Sequence, residues 1–218
     1  MNEESKSKPR ITPRWEDGRL QAPEGPGPTE ARLLEGTLEC LRLNGLRGTT
    51  SRAIAAAAGV NLGAITYHFG SKDELVAQAL VQTVRGWLAP ALDVLRADMD
   101  PAERLVGAVA QLQRTFAEAR DMLPVYLEAL VAASRDDTLR RGVEELFREV
   151  RSFLSTQMRE ERDAGLLPAW VDPDAFAMLF VATADGIGLH AAIEPDAVQP
   201  DALAAQAVQL LLASRGGA

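Results

Sequence analysis

The sequence predicts an all-α protein, on three observations. From Glu30 onward, apolar residues recur at helical spacing almost to the C-terminus. No stretch shows convincing strand alternation, and no segment repeats another. Five prolines fall before residue 29, and Pro101, Pro168, Pro173 and Pro200 fall near expected helix breaks, where proline belongs.

Composition and charge narrow the function. The chain has 218 residues, 47% hydrophobic and 25% charged, enough to bury a sizeable core. It shows no apolar run of about 18 or more residues, so neither a membrane span nor a membrane partner is expected. The opening MNEESKSKPRITPRWEDG lacks the apolar core of a signal peptide. Cys40 is the single cysteine, which excludes an intrachain disulfide and favours a cytoplasmic protein. The net charge of −8 argues at first against a nucleic-acid partner. Its distribution changes that reading. Residues 1–75 carry 10 Lys/Arg and 10 Asp/Glu, whereas residues 76–218 carry 13 and 21. A DNA-binding surface in the first third is therefore permitted, with the acidic remainder facing away from the phosphates.

Residues 1–28 hold five prolines and three glycines without helical period, and read as a disordered arm. A solvated tail is the favoured reading of the arm, and an arm touching DNA phosphates through Lys6, Lys8, Arg10 and Arg14 is the alternative. In the next segment Leu34, Leu38 and Leu41 define one face of a helix, which Asn44-Gly45 should end. Cys40 lies in this helix as a small packed hydrophobe rather than a reactive thiol.

The stretch TTSRAIAAAAGVNLGAITYHFGSKDEL, residues 49–75, carries the most specific information. Thr49 or Thr50 can cap a helix over Ser51–Ala58, which Gly59 ends. Asn61 can cap a second helix over Leu62–Phe69. Two helices joined by about three residues containing Gly form a helix-turn-helix. At about 100° per residue, Ile65 and Phe69 define the buried face of the second helix. Gly63 and Tyr67 fall opposite, with Thr66 and Ala64 flanking. That surface suits the DNA major groove. Gly63 allows close approach, Thr66 offers a hydroxyl and a methyl to base edges, and Tyr67 and His68 can donate to phosphates. Taken alone, Tyr67 and His68 would more often be ordinary surface residues. Ser71 and Glu74 read as a capping box opening the next helix, where Lys72 can meet a phosphate.

At these residues the chain resembles the TetR family of bacterial transcriptional regulators. The matching elements are the first-helix apolar pattern ending in Asn44-Gly45, then Thr49-Thr50, Ile54-Ala55, Ala58-Gly59-Val60, Gly63, Ile65, Tyr67-His68-Phe69, Ser71-Lys72 and Leu75. The resemblance is close over 32–80 and weaker beyond. It implies an all-α homodimer with a three-helix, helix-turn-helix DNA-binding domain at 29–76. It further implies a ligand-binding and dimerisation bundle at 77–218 that releases a palindromic operator when a small effector binds. It places Thr50, Gly63, Thr66, Tyr67, His68 and Lys72 near DNA. The sequence departs from the family pattern at Ala53, often acidic, at Leu62, often polar, and at Thr66, frequently aromatic.

Further helices are expected at about 72–97, 101–119, 122–133, 137–164, 173–193 and 200–214. The segment PDAFAMLFVATADGIGLHAAI is apolar with small residues interspersed, a surface that packs closely on another helix. In the family the last two helices pair with their mates, which assigns Gly186, Ile187, Leu189, Val208 and Leu211 to a dimer interface; packing in the protomer's own core is the alternative. An effector pocket needs apolar walls and a few polar anchors. Candidate walls are Trp87, Phe116, Met122, Tyr126, Phe153, Met158, Phe176 and Phe180, each also an ordinary core residue by pattern. Candidate anchors are Arg114, Thr183, Asp185 and His190. Asp185 and His190 lie five apart and share a face poorly, so a satisfied core or interface role is their default.

An enzyme is not expected. His68 and His190 lie in different regions, and no HExxH, phosphate loop or nucleotide fingerprint appears. One cysteine and two dispersed histidines do not make a metal site, and no cofactor is implied. The competing reading is a helical ligand-binding or adaptor protein that does not bind DNA.

Overall fold

The computed structural model describes residues 14–16, 19–21, 27–165, 167–194, 196, 202–203, 205–206 and 209. Two three-residue strands, β1 (Arg14–Glu16) and β2 (Arg19–Gln21), pair antiparallel with Trp15 opposite Leu20. They fall in the segment read as a disordered arm and depart from the strand-free expectation. The local signal was Asp17-Gly18, a dipeptide that favours a two-residue hairpin turn. So small a ribbon contributes little independent stability.

The remaining regular structure is helical, which is the fold class expected. The helices are α1 (Pro28–Gly48), α2 (Ser51–Ala57), α3 (Gly63–Phe69), α4 (Lys72–Arg96), α5 (Pro101–Glu118), α6 (Leu123–Ala133), α7 (Asp137–Asp163) and α8 (Pro173–Ile193). The helix expected over about 200–214 lies mostly outside the described residues; Ala202, Leu203, Ala205, Gln206 and Gln209 are helical there.

Local chemistry accounts for most boundaries. Thr50 caps α2 by accepting from the Ala53 N–H at 3.2 Å, and Asn61 Oδ1 accepts from the Ala64 N–H at 3.0 Å in the first turn of α3. Gly59 and Gly70 end these two helices at φ 63° and 83°, a region that favours glycine. Ser71 accepts from the Glu74 N–H at 3.1 Å, but the expected reciprocal bond gives way to an ion pair: the Glu74 carboxylate meets Arg141 of α7 at 3.3 Å. The first helix does not stop at Asn44-Gly45 as expected. Gly45 takes φ 66° as a kink, and a further turn runs to Gly48. The Leu46 N–H released by the kink donates to Glu128 Oε2 of α6 at 3.0 Å, an acceptor 82 residues away in sequence.

Two apolar cores result. The first joins α1, α2 and α3 to the start of α4, around Leu33, Leu41, Ile54, Ile65, Phe69 and Leu75, and takes in Val125, Ala129 and Ala133 of α6 and Leu139 of α7. A Cβ on Gly36 would stand 2.8 Å from the Ala58 backbone nitrogen, so a bare α-carbon lets α1 meet α2. The second core unites α4 through α8, around Leu92, Leu112, Leu123, Leu146, Phe153 and Ala177. The two cores divide α4 between Leu80 and Val81.

α8 is long and apolar enough, by length and composition alone, to cross a membrane, and 22% of its most apolar window is buried inside the protomer. Asp174, Asp185 and His190 interrupt it, which is why the sequence shows no unbroken run.

Candidate nucleic-acid interface and ligand cleft

The surface of α3 is built as its helical angles require. Ile65 and Phe69 are buried against the first core, whereas Thr66 is exposed and Tyr67 is 78% exposed. Gly63 opens the helix on the same outward side. A side chain so exposed contributes little to the core, so its value lies in what it meets outside. Tyr67 stands edge-on to the His68 ring, centroids 4.9 Å apart. His68 differs from its neighbours: it is half-buried, and its Nδ1 lies 3.2 Å from Glu30 Oε1 of α1. Glu30 Oε2 also accepts from the Gly27 N–H at 2.9 Å, so one carboxylate ties the start of α1 to the end of α3. Lys72 sits at the first turn of α4, 3.2 Å from the Asp73 carboxylate. Thr50 is exposed at the start of α2. The six residues singled out in the sequence thus occupy consecutive caps and turns of α2, α3 and α4.

The far end of the molecule holds a cleft between α4, α5, α6, α7 and α8, of about 470 Å³ including its open mouth. It brings together Trp87, Phe116, Tyr126, Phe180 and Asp185 of the expected pocket residues. The others stand elsewhere. Arg114 is exposed and bonded to Gln111. Met122 packs on the first core. Phe153 lies under the Arg96 guanidinium, 4.4 Å from its ring centre. Thr183 and His190 face out of α8, and Met158 is buried away from the lining. Phe147 of α7 lines the cleft and was not singled out; its signal was the helical spacing Phe147–Val150, shared by any core helix.

Asp185 of α8 is the polar feature of this cleft. Its Oδ1 accepts from the Tyr126 hydroxyl at 2.7 Å, and the Tyr126 ring meets Trp87 edge-on at 5.9 Å. Burial pushes the Asp185 carboxyl above the usual carboxylate range, opposed by the Tyr126 hydrogen bond. Burial, and then the neighbouring Asp185, push the Tyr126 hydroxyl far up as well. A second, apolar cleft of about 340 Å³ lies on the other side of Tyr126, lined by Leu80, Val81, Leu130 and Val143 among others. The buried Arg85–Glu149 pair, 2.8 Å, fastens α4 to α7 nearby.

Of the expected interface residues, Leu189 is exposed and Gly186 half-buried, while Ile187 packs on the protomer's own core. The outward stripe of α8 carries Met178, Leu179, Ala182, Gly186, Leu189 and Ile193, with Leu179 and Ile193 each 67% exposed. Val208 and Leu211 lie outside the described residues.

Two family descriptions fit the chain: bacterial regulatory proteins of the tetR family over residues 33–79, and the C-terminal region of BetI-type transcriptional repressors over 101–214. The chain belongs to the TetR family of bacterial transcriptional regulators. The regulator PksA of Bacillus subtilis is 27% identical over 171 residues, covering 78% of this chain and 82% of PksA. BetI of Burkholderia cenocepacia is 28% identical over 188 residues, covering 84% and 94%. The crystal structure of a transcriptional regulator from Pseudomonas aeruginosa PAO1 superposes with a TM-score of 0.67 at 28% identity, covering 86% of this chain and 88% of that one. These relatives are regulators of transcription and not enzymes, and this TetR-family chain is a regulator in the same sense.

Proposed function

We propose that this TetR-family regulator is a cytoplasmic homodimeric repressor, released from a palindromic operator by a small, largely apolar effector. The observation that carries the DNA half is the α3 surface: a buried Ile65/Phe69 face behind an exposed Gly63, Thr66 and Tyr67. Thr66 reads base edges, while Thr50, Tyr67 and Lys72 hold phosphates. His68 contributes chiefly through Glu30, by fixing the end of α3 against α1.

One helix-turn-helix reads too few base pairs for a unique site, so two copies are needed with recognition helices about 34–36 Å apart or a multiple of that. The outward stripe of α8 supplies the apolar face for a two-fold contact, together with the C-terminal segment that follows it. The description of the C-terminal region as that of BetI-type repressors supports the sign of regulation.

α4, α6 and α7 belong to both cores, and control follows from the two of them that also carry aromatic cleft residues and a tie to the DNA-binding end. α4 carries Lys72 at its N-terminus, Leu75 and Leu80 in the first core, and Trp87 in the cleft wall. α6 carries Tyr126 in the cleft wall and, two residues later, Glu128 on the α1 kink. On a helix two residues are about 200° apart, so one side chain faces the cleft and the other the DNA-binding end. An effector that displaces Tyr126 or Trp87 shifts these helices and changes the separation of the two α3 helices in the dimer. Its leverage equals its differential affinity for the two states.

The experiment is fluorescence anisotropy against the DNA flanking the chain's own gene, followed by unbiased operator selection. A palindrome of two half-sites bound by a dimer is the expected result. Selection that returns no preferred sequence overturns the proposal.

A further inference from the structure

We propose that the effector of this cleft is a lipophilic amine bound in its protonated form, with an ammonium N–H donating to Asp185. The proposal rests on reading the cleft as the effector site and adds the charge of the ligand. The walls are aromatic and aliphatic, with Trp87, Phe116, Phe147 and Phe180 among them. Among the described residues that line it, Asp185 is the one charged side chain. One carboxylate oxygen accepts from the Tyr126 hydroxyl at 2.7 Å, and the other is not among the fully buried unpartnered side-chain atoms, so it stays open to the cleft.

A carboxylate so placed is costly. Removing a charge from water is compensated only by an opposite charge or by several hydrogen bonds. Tyr126 supplies one neutral donor and no charge. The upward push on the Asp185 carboxyl reflects that imbalance. An apolar side chain of similar volume would make the same wall at lower cost, so the acid here needs an occupant to justify it physically.

The chemistry of the occupant follows by elimination. A carboxylate or phosphate ligand would bring a second negative charge to an acid with no basic neighbour in the lining. A neutral apolar ligand would cover Asp185 and strip its remaining water without replacing it. A neutral alcohol could hydrogen-bond but leaves the charge uncompensated. A protonated amine supplies a donor and a countercharge together, and hydrogen bonds between charged partners are about twice as strong as neutral ones. Ring faces within about 6 Å add attraction for a cation. The apolar body of the amine then fills the space between Phe116, Phe147 and Phe180.

The test uses the full-length chain and three isosteric probes at neutral pH: 2-phenylethylamine, 2-phenylethanol and n-propylbenzene, with affinities measured by calorimetry. The amine is expected to bind at least about tenfold more tightly than either neutral probe. Asp185→Asn, which keeps the shape and the Tyr126 contact, should abolish that preference while operator binding reports an intact fold. Tyr126→Phe should retain the preference, since the carboxylate remains. Tighter binding of a neutral probe, an unchanged preference in Asp185→Asn, or no amine binding up to millimolar concentration overturns the proposal. Operator anisotropy separates it from the broader reading. Amine binding that leaves operator affinity unchanged supports the amine site and sinks release by this cleft. Operator release by n-propylbenzene, with the amine inert, does the reverse.

Discussion

The two ends of the molecule use their side chains in opposite ways. At the DNA-binding end, short helices are fixed by backbone chemistry: Thr50, Asn61 and Ser71 at helix starts, Gly59 and Gly70 at helix ends. With those constraints in place, Thr66 and Tyr67 are exposed on the outward face. At the other end, five helices of 11 to 27 residues are held by apolar packing. There the informative groups, Tyr126 and Asp185, point inward at one another. The difference teaches that a surface for a rigid, regular partner can be specified locally, whereas a cavity for a small ligand exists only once distant helices meet. Coupling between the ends requires elements that belong to both, and α4, α6 and α7 are those elements.

The comparison breaks most visibly if the bundle end contributes nothing to DNA affinity. Leu189→Glu or Gly186→Glu, on the outward stripe of α8, should yield monomers in light scattering. Their operator affinity should fall by about 10³-fold, toward non-specific binding, because one half-site no longer orients the second. A dimer of unchanged mass with full operator affinity counts against this stripe as the interface. Changes on the α3 surface are smaller and more selective. Thr66→Ala should cost about 1–3 kcal/mol at one or two base positions in each half-site, read by competition with mutated operators. Lys72→Ala should weaken operator and unrelated DNA alike and flatten the salt dependence. A Thr66→Ala protein with wild-type preference at every position removes the base-reading assignment.

How far the sequence announced this structure follows the same division. Caps, positive-φ glycines and the 3.6-residue period act within a few residues, so α2, α3 and the long helices were legible to within a turn. Placement of Ile65 and Phe69 inside and Tyr67 outside followed from angle alone. The kink at Gly45 was taken for an end because its stabilising acceptor, Glu128, comes from 82 residues away. The β1–β2 pairing was missed although Asp17-Gly18 stood in plain view among prolines. In the bundle, periodicity marks Phe116, Phe147 and Phe153 equally as inward-facing. Only tertiary packing sends two of them to the cleft and the third beneath Arg96. Asp185 reads from sequence as a satisfied core or interface acid, but sequence does not show that its partner is Tyr126, 59 residues away.

A finer test addresses the elements shared by both ends. Glu128→Ala removes the acceptor of the Leu46 N–H at the α1 kink while leaving every cleft residue in place. Ligand affinity in the absence of DNA should hardly change. The fall in operator affinity on effector binding, about 5–150-fold for a typical coupling of 1–3 kcal/mol, should shrink several-fold. Glu128→Gln retains an acceptor and should lie between. If Glu128→Ala responds to effector as fully as wild type, coupling runs through α4 or α7, and Trp87→Ala becomes the next variant to test.

The smallest expected effect concerns the cost of the cleft itself. The Asp185 carboxyl is held above its ordinary value by burial. Between the unfolded value and the raised folded value, the native state binds more protons than the unfolded chain. Stability contributed by this group therefore falls as pH rises through that window, and the loss is complete once the folded carboxyl has ionised. Tyr126 does not interfere, because burial and Asp185 keep its hydroxyl protonated far above neutral pH. Asp185→Asn removes the titration without removing the oxygen that accepts from Tyr126. The variant, free of ligand, should melt at a higher temperature than wild type at neutral pH, and the gap should close as pH is lowered through the window. Melting curves by circular dichroism at several pH values measure this directly. A variant less stable than wild type at neutral pH would mean that the ionised acid is already compensated within the protein, and the cleft would then have no charge left to offer a ligand.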